Sequence, residues 1–198
     1  MMYEPQQGGT PATKRWGSRL TPTYTEPEGA NMLRILDKIR RIGIITERAP
    51  RDAELDALGK QVKCQIDKRF AGSLAIRQVD AGSCNGCELE IHALNNPYYD
   101  VERFGVHFVA SPRHADALLV TGPVSRHMEA ALKRTYAATP SPKWVIACGD
   151  CACDGGEFGV SYASCGAVEN VIPVDVTIPG CPPTPEDLLR GLLAAMRD

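Results

Sequence analysis

Residues 74–90 read LAIRQVDAGSCNGCELE, and the order within them decides the fold. An apolar run of strand length, 74–79, leads into a turn carrying Cys84 and Cys87, and a helical pattern follows over about 88–95. The same alternation continues downstream. Further strand-length apolar runs lie at 106–109, 117–121, 143–147 and 171–178, with helical patterns at about 125–137 and 185–197. Pro185 suits the first turn of the last helix, with Thr184 as its cap and Glu186 and Asp187 at its positive end. Strands alternating with helices predict an α/β domain over 71–198: a mostly parallel sheet flanked by helices, with its functional loops at the carboxyl ends of the strands. Cys84 and Cys87 follow the first strand, Cys148, Cys151 and Cys153 the fourth, and Cys181 the fifth. Thiols nearly a hundred positions apart are thereby expected to converge at one sheet edge.

Upstream, the pattern weakens. Residues 1–30 are rich in Pro, Gly and Thr without an apolar period, which predicts an extended arm. Residues 31–70 are expected to form a helical amino-terminal segment. Within it Met32, Ile35, Leu36, Ile39 and Ile42 recur at helical spacing opposite Arg34, Lys38, Arg40 and Arg41, with Asn31 as a cap. Such a basic amphipathic helix suits either the surface of its own domain or a membrane or membrane subunit. A second helix is expected over about 52–68. Arg40-Arg41 is not read as an export signal, because a mixed sequence with Glu47, Arg48 and Arg51 follows where an apolar run should begin.

Composition excludes several classes. The chain has 198 residues, 43% of them hydrophobic and 6% aromatic, which suits one globular domain and a tail rather than a coiled coil or a disordered chain. No stretch approaches the roughly 20 apolar residues that span a bilayer, and no secretory signal is recognised, so a cytosolic setting is expected. Residues 1–80 hold 14 Lys and Arg against 10 Asp and Glu, whereas 81–198 hold 8 against 14. An acidic site-bearing half argues against nucleic acid as a partner.

Eight cysteines (Cys64, Cys84, Cys87, Cys148, Cys151, Cys153, Cys165 and Cys181) exceed what a cytosolic chain of this size needs for packing. In a reducing compartment clustered thiols bind metal or do redox chemistry. The Cys84-Asn85-Gly86-Cys87 turn alone serves zinc, an iron-sulfur cluster or a dithiol. Pro179-Gly180-Cys181-Pro182-Pro183 is more informative, since Cys followed by Pro recurs at cluster ligands. Structural zinc usually draws compact pairs close in sequence, and no histidine here shares the spacing, so the pattern favours iron-sulfur. Raw spacing does not separate Cys151 from Cys148 or Cys153.

The stretch 80–187 resembles the small, cluster-bearing subunit shared by energy-converting NiFe hydrogenases, formate hydrogenlyase and respiratory complex I. Five ordered motifs carry the resemblance: 84–90 (CNGCELE), 111–116 (SPRHAD), 121–125 (TGPVS), 149–152 (GDCA), and 172–175 (IPVD) through 178–183 (IPGCPP). It implies a flavodoxin-like domain holding one 4Fe-4S cluster through Cys84, Cys87, Cys151 and Cys181, beside the active site of a larger subunit. Cys151 enters that set through the family pattern Gly-x-Cys-Ala. Cys64, Cys148, Cys153 and Cys165 depart from it and read as small buried hydrophobes.

Separation of the first two ligands by Asn85 and Gly86 looks like the hydrogenase branch, since complex I relatives typically have adjacent cysteines. The sequence ends 17 residues after Cys181, without the extra carboxyl-terminal cysteines of periplasmic hydrogenase small subunits. The resemblance therefore implies the membrane-associated, cytoplasm-facing, energy-converting group. This chain would be the electron-transfer, iron-sulfur subunit of a multi-subunit oxidoreductase whose catalytic centre lies on a partner. Implied partners are a NiFe hydrogenase-type large subunit, a polyferredoxin-like iron-sulfur subunit and membrane subunits, at the cytoplasmic face of the cell membrane. Alternatives are the corresponding subunit of a complex I-type quinone oxidoreductase, or a nickel-free relative, and a zinc-stabilised docking protein.

Glu90, three residues beyond Cys87, is a candidate proton relay or an acid favoured by a helix amino terminus. His92, His107, His114 and His127 stand apart from every cysteine in sequence and are expected at surfaces or interfaces, with Arg113 and His114 in the motif loop facing a neighbour. Hydrolase, nucleotide-phosphate and dinucleotide motifs are absent from the sequence.

Overall fold

The computed structural model describes residues 32–43 and 52–196, so the arm over 1–30 and the Asn31 cap lie outside the described residues. The chain divides into two compact units, one ending at Arg48 and the other starting at Ala49. In the first, helix α1 (Met32–Ile42) exposes Ile35, Leu36, Ile39 and Ile42. Their spacing puts them on one face. Asp37 pairs with Arg41 one turn later.

The second unit holds a five-stranded, all-parallel sheet in the order β2-β1-β3-β4-β5. Its strands are β1 (Leu74–Asp80), β2 (Val106–Phe108), β3 (Ala117–Thr121), β4 (Trp144–Cys148) and β5 (Val176–Ile178). This is the doubly wound order of flavodoxin-like folds. Helices α2 (Ala53–Arg69), α3 (Gly86–Ala93), α4 (Arg126–Ala138), α5 (Asp150–Cys153) and α6 (Pro185–Ala195) complete it.

Successive strand side chains point to opposite faces, and the two cores divide accordingly. Leu74, Ile76, Leu119, Ile146 and Ile178 face α2, α3 and α6, where Leu55, Ile66, Ile91, Leu188 and Leu189 cover them. Val79, Leu118, Val120, Val145 and Ala147 face the other way, toward Leu132 of α4 and Ala152 of α5. β3 is buried at all five positions, as a central strand covered on both sides must be.

Three expectations shift. Helix α2, grouped by sequence with α1 in a 31–70 segment, packs into the sheet's own core through Leu55, Val62 and Ile66. The strand expected over 171–178 shrinks to Val176–Ile178, with a 3-10 turn at Val168–Asn170. Pro173 has no N–H for a ladder, and Asp175 anchors the approach instead: its N–H donates to Val145 O and its Oδ2 accepts from Val145 N–H at 2.7 Å. Helix α3 begins at Gly86 rather than near Glu88, so Cys87 lies in its first turn.

Register sets the geometry of the site. Asp80, Thr121, Cys148 and Ile178 pair in one row across the carboxyl end of the sheet. Four loops leave from that row.

Candidate metal centre

The first loop is ordered by the residue that ends β1. Asp80 Oδ1 accepts from the N–H groups of Gly82 at 2.8 Å and Ser83 at 2.9 Å, an Asx-type turn that folds the chain back over β3. There it meets Gly122, at φ +76, where a Cβ would lie 2.4 Å from Ser83 N, so only glycine admits the two loops together. Asn85 takes a left-handed conformation (φ 73) and turns the chain into α3. Cys84 precedes this turn and Cys87 follows it.

The second and third loops are clamped to each other. Gly149 N–H donates to Ile178 O and Asp150 N–H donates to Gly180 O, while Gly180 N–H donates to Asp150 Oδ1 at 2.7 Å. This closed exchange fixes Cys151 relative to Cys181. Gly149, at φ +88, has Cys87 Sγ where its Cβ would be, 2.6 Å from that position. The sulfur is thus seated on the backbone of the β4 loop.

Together these loops enclose a cavity of about 120 Å³ lined by Cys84, Cys87, Cys151 and Cys181, with Pro123 from the β3 loop and Phe158 at its edge. Cys84 and Cys181 are exposed, whereas Cys87 and Cys151 are half-buried. Larger hollows elsewhere, at about 340 and 180 Å³, are lined by no cysteine.

The thiols sense one another. Burial pushes the Cys151 thiol up from its ordinary range, and Cys181, Cys84, Cys87 and Asp150 push it further. The Cys148 thiol has the opposite effect on Cys87, holding it below the usual range by hydrogen bonding. Four sulfurs in mutual range are costly as bare thiolates and call for positive charge among them. Among the described residues, no three His, Cys, Asp or Glu side chains are gathered to hold a single metal ion. The four thiols surround a hollow instead of meeting at a point, and an all-sulfur donor set around a hollow fits an iron-sulfur cluster.

Other sequence candidates lie elsewhere. Cys148 is fully buried at the end of β4, and Cys153 is half-buried with Sγ 3.6 Å from Ala147 O; burial pushes the Cys153 thiol up to about 11. Cys165 is buried, donating to Glu129 Oε2 at 3.5 Å. Cys64, expected to be buried, is exposed on α2. Glu90 is half-buried outside the cavity, near enough to Tyr99 to push its hydroxyl up, although Glu186 and burial act more strongly. None of the four histidines lines the cavity; His92, His114 and His127 are exposed, as is Arg113.

Sequence reasoning missed two features here. Glu88, beside Cys87, is only 7% exposed; its Oε1 accepts from Thr121 Oγ1, and its Oε2 is buried without a partner among the described residues. Phe158 at the cavity edge is 64% exposed, and nothing in its glycine-rich surroundings marks it out.

Residues 84–195 match the family model described as NADH ubiquinone oxidoreductase, 20 Kd subunit. "Probable membrane-bound hydrogenase subunit mbhJ" of Pyrococcus furiosus is 46% identical over 145 residues, covering 73% of this chain and 86% of the relative. Formate hydrogenlyase subunit 7 of Escherichia coli is 43% identical over 154 residues, 74% of this chain, which spans only 60% of that protein. An NADH-quinone oxidoreductase subunit of Citrifermentans bemidjiense is 47% identical over 107 residues, 54% of this chain and 62% of the relative. Among solved structures, the membrane-bound sulfane sulfur reductase, an archaeal respiratory membrane complex, contains a chain 35% identical with a TM-score of 0.56, covering 69% of this chain and 73% of that one. The motif resemblance is thus a family relationship: the chain belongs to the NADH ubiquinone oxidoreductase 20 kDa subunit family, whose members include subunits of multi-subunit oxidoreductase complexes.

Proposed function

We propose that this chain is the electron-transfer subunit of a membrane-associated, energy-converting NiFe hydrogenase of formate hydrogenlyase type. In this reading one 4Fe-4S cluster is held by Cys84, Cys87, Cys151 and Cys181, next to the active site of a NiFe-type large subunit. A polyferredoxin-like subunit and membrane subunits complete the complex, at the cytoplasmic face of the cell membrane. The observation that carries the reading is the convergence of four thiols from three loops on one cavity. The hydrogenase and formate hydrogenlyase relatives, each matching over nearly three quarters of the chain, support the type.

A bound cluster would supply one-electron transfer, with a potential set by its charge, hydrogen bonds to sulfur and water exclusion. The chain's own residues do the positioning. Asp150 and Gly180 keep two ligand loops in register, Gly149 seats Cys87, and α3 presents its positive amino-terminal end to the Cys87 sulfur. At the cavity edge Phe158 is an exposed aromatic group, as a face covered by a large subunit would present.

A second reading, a complex I-type or nickel-free relative, is favoured by the quinone oxidoreductase match and by the sulfane sulfur reductase neighbour. Anaerobic purification of the intact complex discriminates between them. The leading reading expects a reduced-state electron paramagnetic resonance signal that is lost on Cys181→Ser, together with nickel in the large subunit. Iron without nickel would move the chain to the second reading, and zinc in place of iron would overturn both.

A further inference from the structure

Helix α5 ends in a turn that folds back onto the thiol it carries. Asp154 Oδ1 accepts from Gly156 N–H at 2.8 Å, and Gly159 N–H donates to Gly155 O at 3.0 Å, so residues 154–159 close tightly on themselves. At Gly156, with φ +50, a Cβ would lie 2.9 Å from Cys151 Sγ, and glycine is what lets the backbone press against that sulfur. The turn carries Phe158. Its side chain lines the cavity while remaining 64% exposed, and it is the one aromatic group among the described residues there. The other lining side chains are those of glycine, proline, serine, cysteine and aspartate, none with comparable area to cover an opening.

Resting on the cluster reading above, we propose that Phe158 is the water-excluding wall of the site: its ring covers the cluster at the edge formed by the Cys151 loop and keeps water and small polar molecules from reaching it there. Two observations suit it to this place. Cys84 and Cys181 are exposed, so the cavity opens toward solvent and needs cover. Phe158 belongs to neither core of the sheet, so its ring adds little to the fold, and its place at the cavity is what accounts for it. Water stabilises charge, and the reduced cluster carries more negative charge than the oxidised one. Excluding water on this side therefore lowers the potential of the cluster and slows the escape of its iron.

The test compares the intact, anaerobically purified complex with Phe158→Ala and Phe158→Leu variants. It reads the midpoint potential by electron paramagnetic resonance through a redox titration, and the rate of iron release to the hydrophilic chelator ferrozine. Parent material without a cluster would end the function reading itself, independently of the variants. With the cluster present, the inference expects a higher midpoint potential and several-fold faster iron release for Phe158→Ala, with Phe158→Leu closer to the parent because it restores apolar cover. The amount of large subunit in the complex should be the same in all three proteins. Unchanged or oppositely shifted values in Phe158→Ala, or no recovery in Phe158→Leu, would overturn the inference. Loss of the large subunit from Phe158→Ala would also overturn it, leaving Phe158 as a docking anchor, and loss of the cluster from both variants would leave it as part of the loop's own fold.

Discussion

Cys151 and Cys153 stand two positions apart on the four-residue helix α5, and only Cys151 lines the cavity. Helical geometry explains the difference: two residues advance about 200° around the axis, so their side chains leave on opposite sides. Cys153 turns inward, toward Ala147 O. Replacing Cys151 by Ser should therefore abolish cluster binding, while Cys153→Ser should retain it, as judged by iron and sulfide content of anaerobically purified protein. The reverse result would mean that the β4 loop is wrongly assigned. At this scale the sequence was partly legible. The Cys84–Cys87 turn and the proline-framed Cys181 announce themselves by spacing, but choosing Cys151 needed a family pattern. Glu88 was invisible as a participant, because its place depends on sheet register: Thr121 ends β3 in the row at the carboxyl edge, and Thr121 meets Glu88.

Helix α6 follows the Cys181 loop and supplies Leu188, Leu189 and Leu192 to the core beneath the site. Its first turn is closed by a capping box: Thr184 Oγ1 accepts from Asp187 N–H at 3.2 Å, and Asp187 Oδ2 accepts from Thr184 N–H. Thr184→Ala should cost about 1 kcal/mol of stability by loss of the cap. The loss should also depend on pH. Hydrogen bonds from Thr184 hold the Asp187 carboxyl below its ordinary value of 3.8, a depressed folded-state pKa. Its contribution is present above 3.8 and disappears as pH falls through the lowered value, so parent and variant stabilities should converge on the acid side. Urea titrations at several pH values check this, and a constant difference would leave the cap a neutral hydrogen bond only. Elements such as α6 were readable because cap, proline and apolar period agree locally. β5 was overread, since only pairing with β4 limits it to three residues.

The whole sheet runs parallel, so every strand delivers its carboxyl end to the same edge, and that topology alone brings Cys84 and Cys181 to one cavity. This level was legible from the alternation of strand and helix, while the β3 loop with Gly122 and Pro123 was marked in sequence only by the family motif over 121–125 and not by its place at the cavity. Helix α1 stands apart from that logic. The compact unit bearing the site begins at Ala49, and among the described residues its two cores are built from Leu55 onward. α1 has four exposed apolar residues on one face, and Lys38 and Arg40 are exposed as well. Basic residues near an anionic membrane surface contribute on the order of 1 kcal/mol each, added to apolar burial, so such a helix can hold a complex to a membrane partner. Deletion of 32–45 should therefore move the assembly from the membrane to the soluble fraction, measured by sedimentation, with iron content unchanged. If the complex stays on the membrane, α1 is an ordinary surface helix and the attachment lies elsewhere; if iron is lost as well, α1 supports the fold of the site-bearing unit rather than its location.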